Sequence, residues 1–268
     1  MVGIAVAGVA GRMGGAIVRA VDMNPGAALV GGFEAAGHPA VGKKLSEVTG
    51  CAQAAGLVSD GPGAVLKACD VLVEFTSPAA SLANLKECAK LKKAAVIGTT
   101  GLDAAQKKEM ARLAKKVPVV FAPNMSVGMN LMFKLAGMIT QVLGPDYALE
   151  LVEAHHDQKK DAPSGSAVRL LEEMAAARGL KLDKALRHGR QGLVGARSKG
   201  EIGVSVIRGG DIVGDHTVFF IGQGERIELT HRAHSRETFA QGAVRAALWV
   251  VEQTPGLYDM QDVLGLKG

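Results

Sequence analysis

A short apolar run at residues 3–7 leads into Val6-Ala7-Gly8-Val9-Ala10-Gly11-Arg12-Met13-Gly14, and a helical pattern continues from there to about Met23. No other stretch limits the fold as strongly. Three glycines spaced G-x-x-G-x-x-G between a strand and a helix predict the tight turn that opens a parallel βαβ unit. Gly8 permits the turn, Gly11 lets the backbone approach a pyrophosphate at the helix N-terminus, and Gly14 permits close helix–strand packing. Ala10 stands at the middle position more often held by glycine. Glu34 ends the second apolar run, where an acidic side chain accepts hydrogen bonds from the hydroxyls of an adenosine ribose.

The rest of the first half repeats the pattern. Strand-like runs at 27–33, 71–75, 94–97 and 117–121 alternate with helical segments, which predicts a parallel α/β sheet with crossover helices. The loops after these strands, 75–78, 98–101 and 122–125, are expected over the carboxyl edge of the sheet, where open α/β sheets bind ligands. After Pro123 the texture changes. A helix is expected at 128–142, then strands at 149–153, 203–207, 217–221 and 226–230 in a mixed or antiparallel sheet. A helix at 167–178 stops at Gly179, a second helix covers 239–252 without revealing which lobe buries it, and 186–200 reads as a Gly- and Arg-rich mobile loop.

With 268 residues, 48% of them hydrophobic, the chain can bury a sizeable core. No apolar run reaches the roughly 18 residues of a membrane span, and the N-terminus lacks the charged region of a signal peptide, so a soluble cytoplasmic protein is expected. Cys51, Cys69 and Cys88 are widely spaced and form no C-x-x-C pair, which argues against zinc or a disulfide framework. His216, His231 and His234 lack thiol or carboxylate partners at a recognisable spacing, so no metal site is expected. The net charge of +5 is spread among interleaved acidic residues with few aromatics, which suits anionic small-molecule ligands as well as nucleic acid.

Glu153-Ala154-His155-His156-Asp157-Gln158-Lys159-Lys160-Asp161-Ala162-Pro163-Ser164-Gly165-Ser166 ends a strand and enters a helix. It sets two histidines and two lysines beside a Pro-Ser-Gly-Ser helix start. That combination offers proton donors, positive charge and backbone N–H groups for an acidic small molecule.

With these segments in hand, the chain resembles the dihydrodipicolinate reductase family from end to end. The likeness is carried by the glycine-rich turn and by Glu74-Phe75-Thr76-Ser77-Pro78, Val96-Ile97-Gly98-Thr99-Thr100-Gly101 and Pro123-Asn124-Met125-Ser126-Val127-Gly128. The segment from Glu153 to Ser166 adds the most specific match, and Arg208-Gly209-Gly210-Asp211, Ser235-Arg236 and Gly242-Ala243-Val244-Arg245 extend it. Other amino-acid-pathway dehydrogenases share the first turn without the E-A-H-H and D-A-P-S-G-S combination. A nucleotide-binding sensor would leave the histidine–lysine segment unexplained.

The resemblance implies a Rossmann-type nucleotide domain, 1–126 with 239–268, and an α+β substrate and tetramerisation domain with a mixed sheet, 127–238. It implies NAD(P)H-dependent reduction of a small cyclic dicarboxylate in lysine biosynthesis. His155 matches the residue usually assigned as proton donor and acceptor, Lys159 the second proton donor, and His156 a substrate contact. Gly165 and Ser166 match the helix-start donors to a substrate carboxylate. The cofactor positions carried over are Gly8, Val9, Ala10, Gly11, Arg12, Met13, Glu34, Gly98, Thr99, Thr100, Ala122, Pro123, Asn124 and Met125. The chain departs from the family pattern at Ala35, where an arginine often follows the acidic ribose ligand, and at Asp157 and Lys160. Glu34 followed by Ala35 gives the expectation of dual nucleotide use biased toward NADH.

Overall fold

The computed structural model describes residues 1–267. It divides into two compact units, Met1–Val127 with the chain from Arg236 onward, and Gly128–Ser235.

The first unit runs β1 (Val2–Ala7), α1 (Arg12–Asp22), β2 (Ala27–Glu34), α2 (Leu45–Thr49), β3 (Ser59–Asp60), α3 (Gly63–Ala68), β4 (Val71–Glu74), α4 (Pro78–Leu91), β5 (Ala94–Ile97), α5 (Ala104–Ala114) and β6 (Pro118–Phe121). The next elements are α6 (Val127–Leu143), β7 (Ala148–His155), α7 (Gly165–Ala177), α8 (Leu182–Ala185), β8 (Leu186–His188), β9 (Ile202–Arg208), β10 (Gly214–Ile221) and β11 (Arg226–Ala233). The chain then returns to the first unit with α9 (Glu237–Val250), β12 (Gly256–Tyr258) and α10 (Met260–Val263).

In the first unit the strands stand in the order β12-β6-β5-β4-β1-β2-β3, and every pair is parallel. This is a Rossmann-type sheet whose order reverses between β1 and β4. Its central strands are apolar on both faces, Glu74 at the end of β4 excepted, because both faces are covered. Ile4, Val6, Val71, Val73 and Val96 point toward α1 and α9, whereas Ala5, Ala7, Leu72, Ala95 and Ile97 belong to the opposite core layer under α3, α4 and α5. Each large side chain buried this way contributes about 1.5–3 kcal/mol. The 239–252 pattern is therefore a core helix of this unit. Its small residues Ala240, Ala243, Ala246 and Ala247 are buried and let α9 lie close on β4 and β5.

The second unit holds a mixed sheet in the order β11-β10-β7-β9-β8, with β10 antiparallel to both neighbours and β7, β9 and β8 parallel. Leu149, Leu151, Ile202, Val204, Val218 and Phe220 share one face and pack with Met132 and Phe133 of α6 and Leu170, Leu171 and Met174 of α7. Within the expected loop 186–200, Leu186–His188 forms an edge strand on β9. The remainder is tied down: Arg190 bonds Glu150 and Glu201, and Arg197 bonds Glu150 at 3.0 Å. The loop reading undervalued these arginines, whose partners lie far along the sequence.

Helix α6 is strongly apolar. With the turn after it, Val127–Asp146 is long and apolar enough to cross a membrane by length and composition, at a mean hydropathy of 1.2 over its apolar window. The sequence reading found no such stretch because Asn130, Lys134 and Gln141 interrupt it. Met129, Met132, Phe133 and Ala136 of this helix are core residues of the second unit.

Candidate active site

In the first unit the turn after β1 has the geometry its glycines require. Gly8 adopts φ +66°, and a Cβ on Gly14 would lie 2.2 Å from the Gly8 carbonyl oxygen, so α1 can start against the turn only with glycine there. Gly11 is the N-cap of α1 and supplies no side-chain cap, and no acidic residue lies in the first turn. The N-terminal N–H groups of α1 thus favour an anion. Glu34 Oε1 accepts the Ala10 N–H at 2.8 Å, which fixes its carboxylate beside the turn. Arg12, Ala35, Lys43 and Lys44 are exposed, and Lys44 lies 3.8 Å from Glu47.

The other expected cofactor positions gather on the same edge. Gly98, Thr99 and Thr100 follow β5, with Gly98 N–H donating to the Glu74 carbonyl at 2.9 Å. Ala122, Pro123, Asn124 and Met125 follow β6, where Ala122 N–H donates to Ile97 O at 3.1 Å, and Met125 is buried. The turn, Glu34 and these two loops all stand at carboxyl ends of parallel strands flanking the β1/β4 reversal, the position at which such sheets receive a dinucleotide.

In the second unit the strand period sets the site. Glu153 and His155 are two apart on β7 and share a face. Glu153 is 0% exposed, yet its carboxylate is fully engaged. His155 Nδ1 lies 2.5 Å from Oε2, Arg208 donates from both terminal nitrogens at 2.9 and 3.0 Å, and Ser164 N–H donates to Oε1 at 2.9 Å. Burial works to raise the Glu153 pKa, but the bonds from His155, Arg208 and Ser164 outweigh it and bring the value down to about 2. The carboxylate is therefore ionised at neutral pH. It selects the His155 tautomer protonated at Nδ1, leaving Nε2 on the side of Gly214, where a Cβ would come within 3.0 Å of that nitrogen.

His216 on β10 packs edge-on against His155 with ring centroids 5.2 Å apart. Burial and the neighbouring His155 push its pKa down to about 3, so it is neutral near pH 7. Its Nε2 lies 3.1 Å from Ser164 Oγ, and that same oxygen accepts the Ala167 N–H as the N-cap of α7. Gly165 and Ser166 form the first two positions of α7, directly after this cap.

Beyond β7, His156 N–H donates to Ile212 O at 2.8 Å and Gly209 N–H to His155 O at 3.0 Å, lacing the strand end to the 209–212 loop. Lys159 Nζ pairs with Asp161 Oδ1 at 2.9 Å and is 21% exposed. The structure thus brings His155, His156, Lys159, Gly165 and Ser166 onto one strand end and the helix start after it. Three residues of this cluster were not singled out by the sequence. Glu153 was named only as part of a motif, Arg208 only as part of a resemblance, and His216 was read as an ordinary core or surface histidine. The register that pairs His155 with Arg208 and His216 with Glu153 is what joins them.

Residues 2–125 match the model of the N-terminal region of dihydrodipicolinate reductase, and residues 128–264 match that of its C-terminal region. The chain belongs to the dihydrodipicolinate reductase family. It is 53% identical over 267 residues to the 4-hydroxy-tetrahydrodipicolinate reductase of Geotalea uraniireducens and 51% identical to that of Geotalea daltonii, covering 100% of both chains in each case. Among solved structures, a dipicolinate-bound dihydrodipicolinate reductase from Paenisporosarcina matches with a TM-score of 0.75 at 27% identity, over 98% of each chain. As a dihydrodipicolinate reductase family member, the chain is an oxidoreductase that works with a nicotinamide cofactor.

Proposed function

We propose that this chain is a 4-hydroxy-tetrahydrodipicolinate reductase of the diaminopimelate route to lysine. It would reduce (2S,4S)-4-hydroxy-2,3,4,5-tetrahydrodipicolinate, through dihydrodipicolinate, to 2,3,4,5-tetrahydrodipicolinate with loss of water, using NADH in preference to NADPH. The observation that carries the reading is the buried Glu153–His155 pair beside the start of α7, within a chain similar over its whole length to reductases of that name.

The cofactor, when bound, supplies a hydride to the C4 region of the substrate ring. The residues of this chain supply the rest. Gly8, Val9, Ala10, Gly11, Arg12 and Met13 hold the pyrophosphate at the start of α1. Glu34 holds the adenosine ribose, and Gly98 to Thr100 with Ala122 to Met125 complete the cofactor edge. His155, oriented by Glu153, delivers a proton from Nε2 to the carbon or nitrogen next to the reduced position. The Glu153 carboxylate stabilises the imidazolium before transfer. Lys159 brings positive charge to the anion that forms as hydride arrives. Gly165 and Ser166 offer N–H groups to one carboxylate of the substrate, with His156 as a further contact.

The NADH bias rests on Glu34. Its carboxylate, held by Ala10 N–H at 2.8 Å, would meet a 2′-phosphate as like charge, and Ala35 offers no guanidinium to neutralise it. The first unit is assigned to nucleotide binding, and the second to substrate binding and assembly. A homotetramer is supported by the outer face of the second sheet, where Ile207 and Ile221 are 51% and 38% exposed and Phe219 is half-buried. The proposed compartment is the cytoplasm.

The deciding experiment follows loss of reduced-nicotinamide absorbance with the cyclic substrate and each nucleotide in turn. Substrate-dependent oxidation is expected with both, faster with NADH. No oxidation with either would overturn the reading.

A further inference from the structure

Glu74 closes the central strand β4 with a side chain that is 0% exposed and has no part in the chemistry above. Its carboxylate collects four donors from three segments. Thr99 Oγ1 and Thr76 Oγ1 donate at 2.6 Å each, Asn84 Nδ2 donates at 3.4 Å, and Ser81 Oγ donates to Oε1. All four partners are neutral. A buried carboxylate without a cation is costly to keep, and here its acceptor capacity is spent on organising loops.

Those loops are the ones that follow β4 and β5. Thr76 lies in 75–78, Thr99 lies in 98–101, and Ser81 N–H donates to Ser77 O at 2.8 Å, tying the first loop to α4. The main chain adds to the lock, since Gly98 N–H donates to the Glu74 carbonyl. The loops also interlock with each other and with the glycine turn. The Phe75 ring fills the space where a Cβ on Gly98 would stand, and Thr76 Cγ2 lies 2.9 Å from the Cβ position of Gly8. Each threonine hydroxyl has a single proton, and both protons are committed to Glu74.

In a doubly wound sheet the two halves of a dinucleotide lie on opposite sides of the strand-order reversal. Glu34, at the end of β2, marks the adenosine side, so the loops after β4 and β5 lie toward the nicotinamide half. We propose that Glu74 is a positioning residue that sets the 75–78 and 98–101 loops in the conformation that receives the nicotinamide half of the cofactor. This rests on the nicotinamide-dependent reductase reading.

The test compares binding of NADH with binding of ADP-ribose, which keeps the adenosine half and lacks the nicotinamide. In Glu74→Gln the side-chain amide faces hydroxyls that donate to it, so donors must reverse or be lost. NADH should bind about tenfold more weakly, in line with the loss of one or two hydrogen bonds that hold the loops. ADP-ribose affinity should stay within about twofold. The KM for NADH should rise more than kcat falls. Ser81→Ala removes one donor outside the loops and should weaken NADH selectively by a smaller factor, which keeps the test available if Glu74→Gln fails to fold. Equal weakening of both ligands, or unchanged NADH binding in either folded variant, would overturn the proposal. Direct binding does not depend on which substrate is reduced, so a wild-type chain that binds NADH yet reduces no cyclic dicarboxylate would sink the substrate reading and leave this one standing.

Discussion

Glu153 Oε2 lies 2.5 Å from His155 Nδ1, two residues along the same face of β7, and the same carboxylate takes both terminal nitrogens of Arg208. One buried anion thereby sets the tautomer of the proposed proton donor and neutralises a guanidinium. Glu153→Gln should lower kcat by about a hundredfold with little change in the KM for NADH. It should also cost about 2 kcal/mol of stability, because Arg208 loses its carboxylate partner and keeps only the main-chain oxygens of Ile207 and Asp161. Steady-state kinetics with denaturant unfolding checks both, and near-wild-type kcat would show that the tautomer does not matter.

Removing the proposed proton and charge donors should be more severe. His155→Ala and Lys159→Ala should each reduce kcat by about two to four orders of magnitude. Nucleotide binding, measured by fluorescence, should hardly change. Full activity in both variants, with secondary structure confirmed by circular dichroism, would remove the 153–166 segment from the reaction.

Stability should decline in two stages on acidification. His216 falls from an ordinary 6.5 to about 3 on folding, so between those values the unfolded chain binds more protons and stability drops as pH falls from 6.5. Glu153 falls from 4.5 to about 2, so its stabilisation is complete above pH 4.5 and is lost as pH descends toward 2. Denaturant midpoints across this range should show both stages, and His216→Gln should shrink the first, to which His231 also contributes because burial lowers its pKa, and leave the second in place. A wild-type profile flat from pH 6.5 to 4.5 would contradict the assignment for His216.

Recognition of two carboxylates can be read from inhibitors. Pyridine-2,6-dicarboxylate should compete with substrate, because it is planar, carries both acidic groups and accepts no hydride. Pyridine-2-carboxylate should be clearly weaker. Equal inhibition constants would mean that only one carboxylate is held.

For the cofactor, kcat/KM should favour NADH by about tenfold or less, as expected for one exposed charge contact of about 1 kcal/mol. Ala35→Arg should shift the ratio toward NADPH. A wild-type preference for NADPH would point to Arg12, Lys43 or Lys44 as readers of the phosphate, and no shift on substitution would mean that position 35 does not face the ribose.

Local pattern carried much of this. The glycine turn and the unbroken apolar strands announced the parallel sheet, because both depend on residues close in sequence. The substrate segment stood out for the same reason, since His155, Lys159 and Gly165 lie within one strand end and one helix start. Arg208, His216 and Glu74 were illegible in their roles because these come from partners brought by strand pairing. Arg208 lies 55 residues from Glu153, and Thr99 lies 25 from Glu74. The same holds for 186–200, where Arg190 is anchored 40 residues away on Glu150.

The return of α9 to the first unit has a consequence for synthesis. Ala240, Ala243, Val244 and Ala247 belong to the same core layer as Ile4, Val6, Val73 and Val96, yet the ribosome makes them only after the whole of the second unit. Until they emerge, one face of a nearly finished parallel sheet carries bare apolar side chains, a surface prone to aggregation. The inserted unit, continuous from Gly128 to Ser235, can meanwhile close its own core. A helix translated only after the inserted unit is therefore the one that seals this face of the parallel sheet.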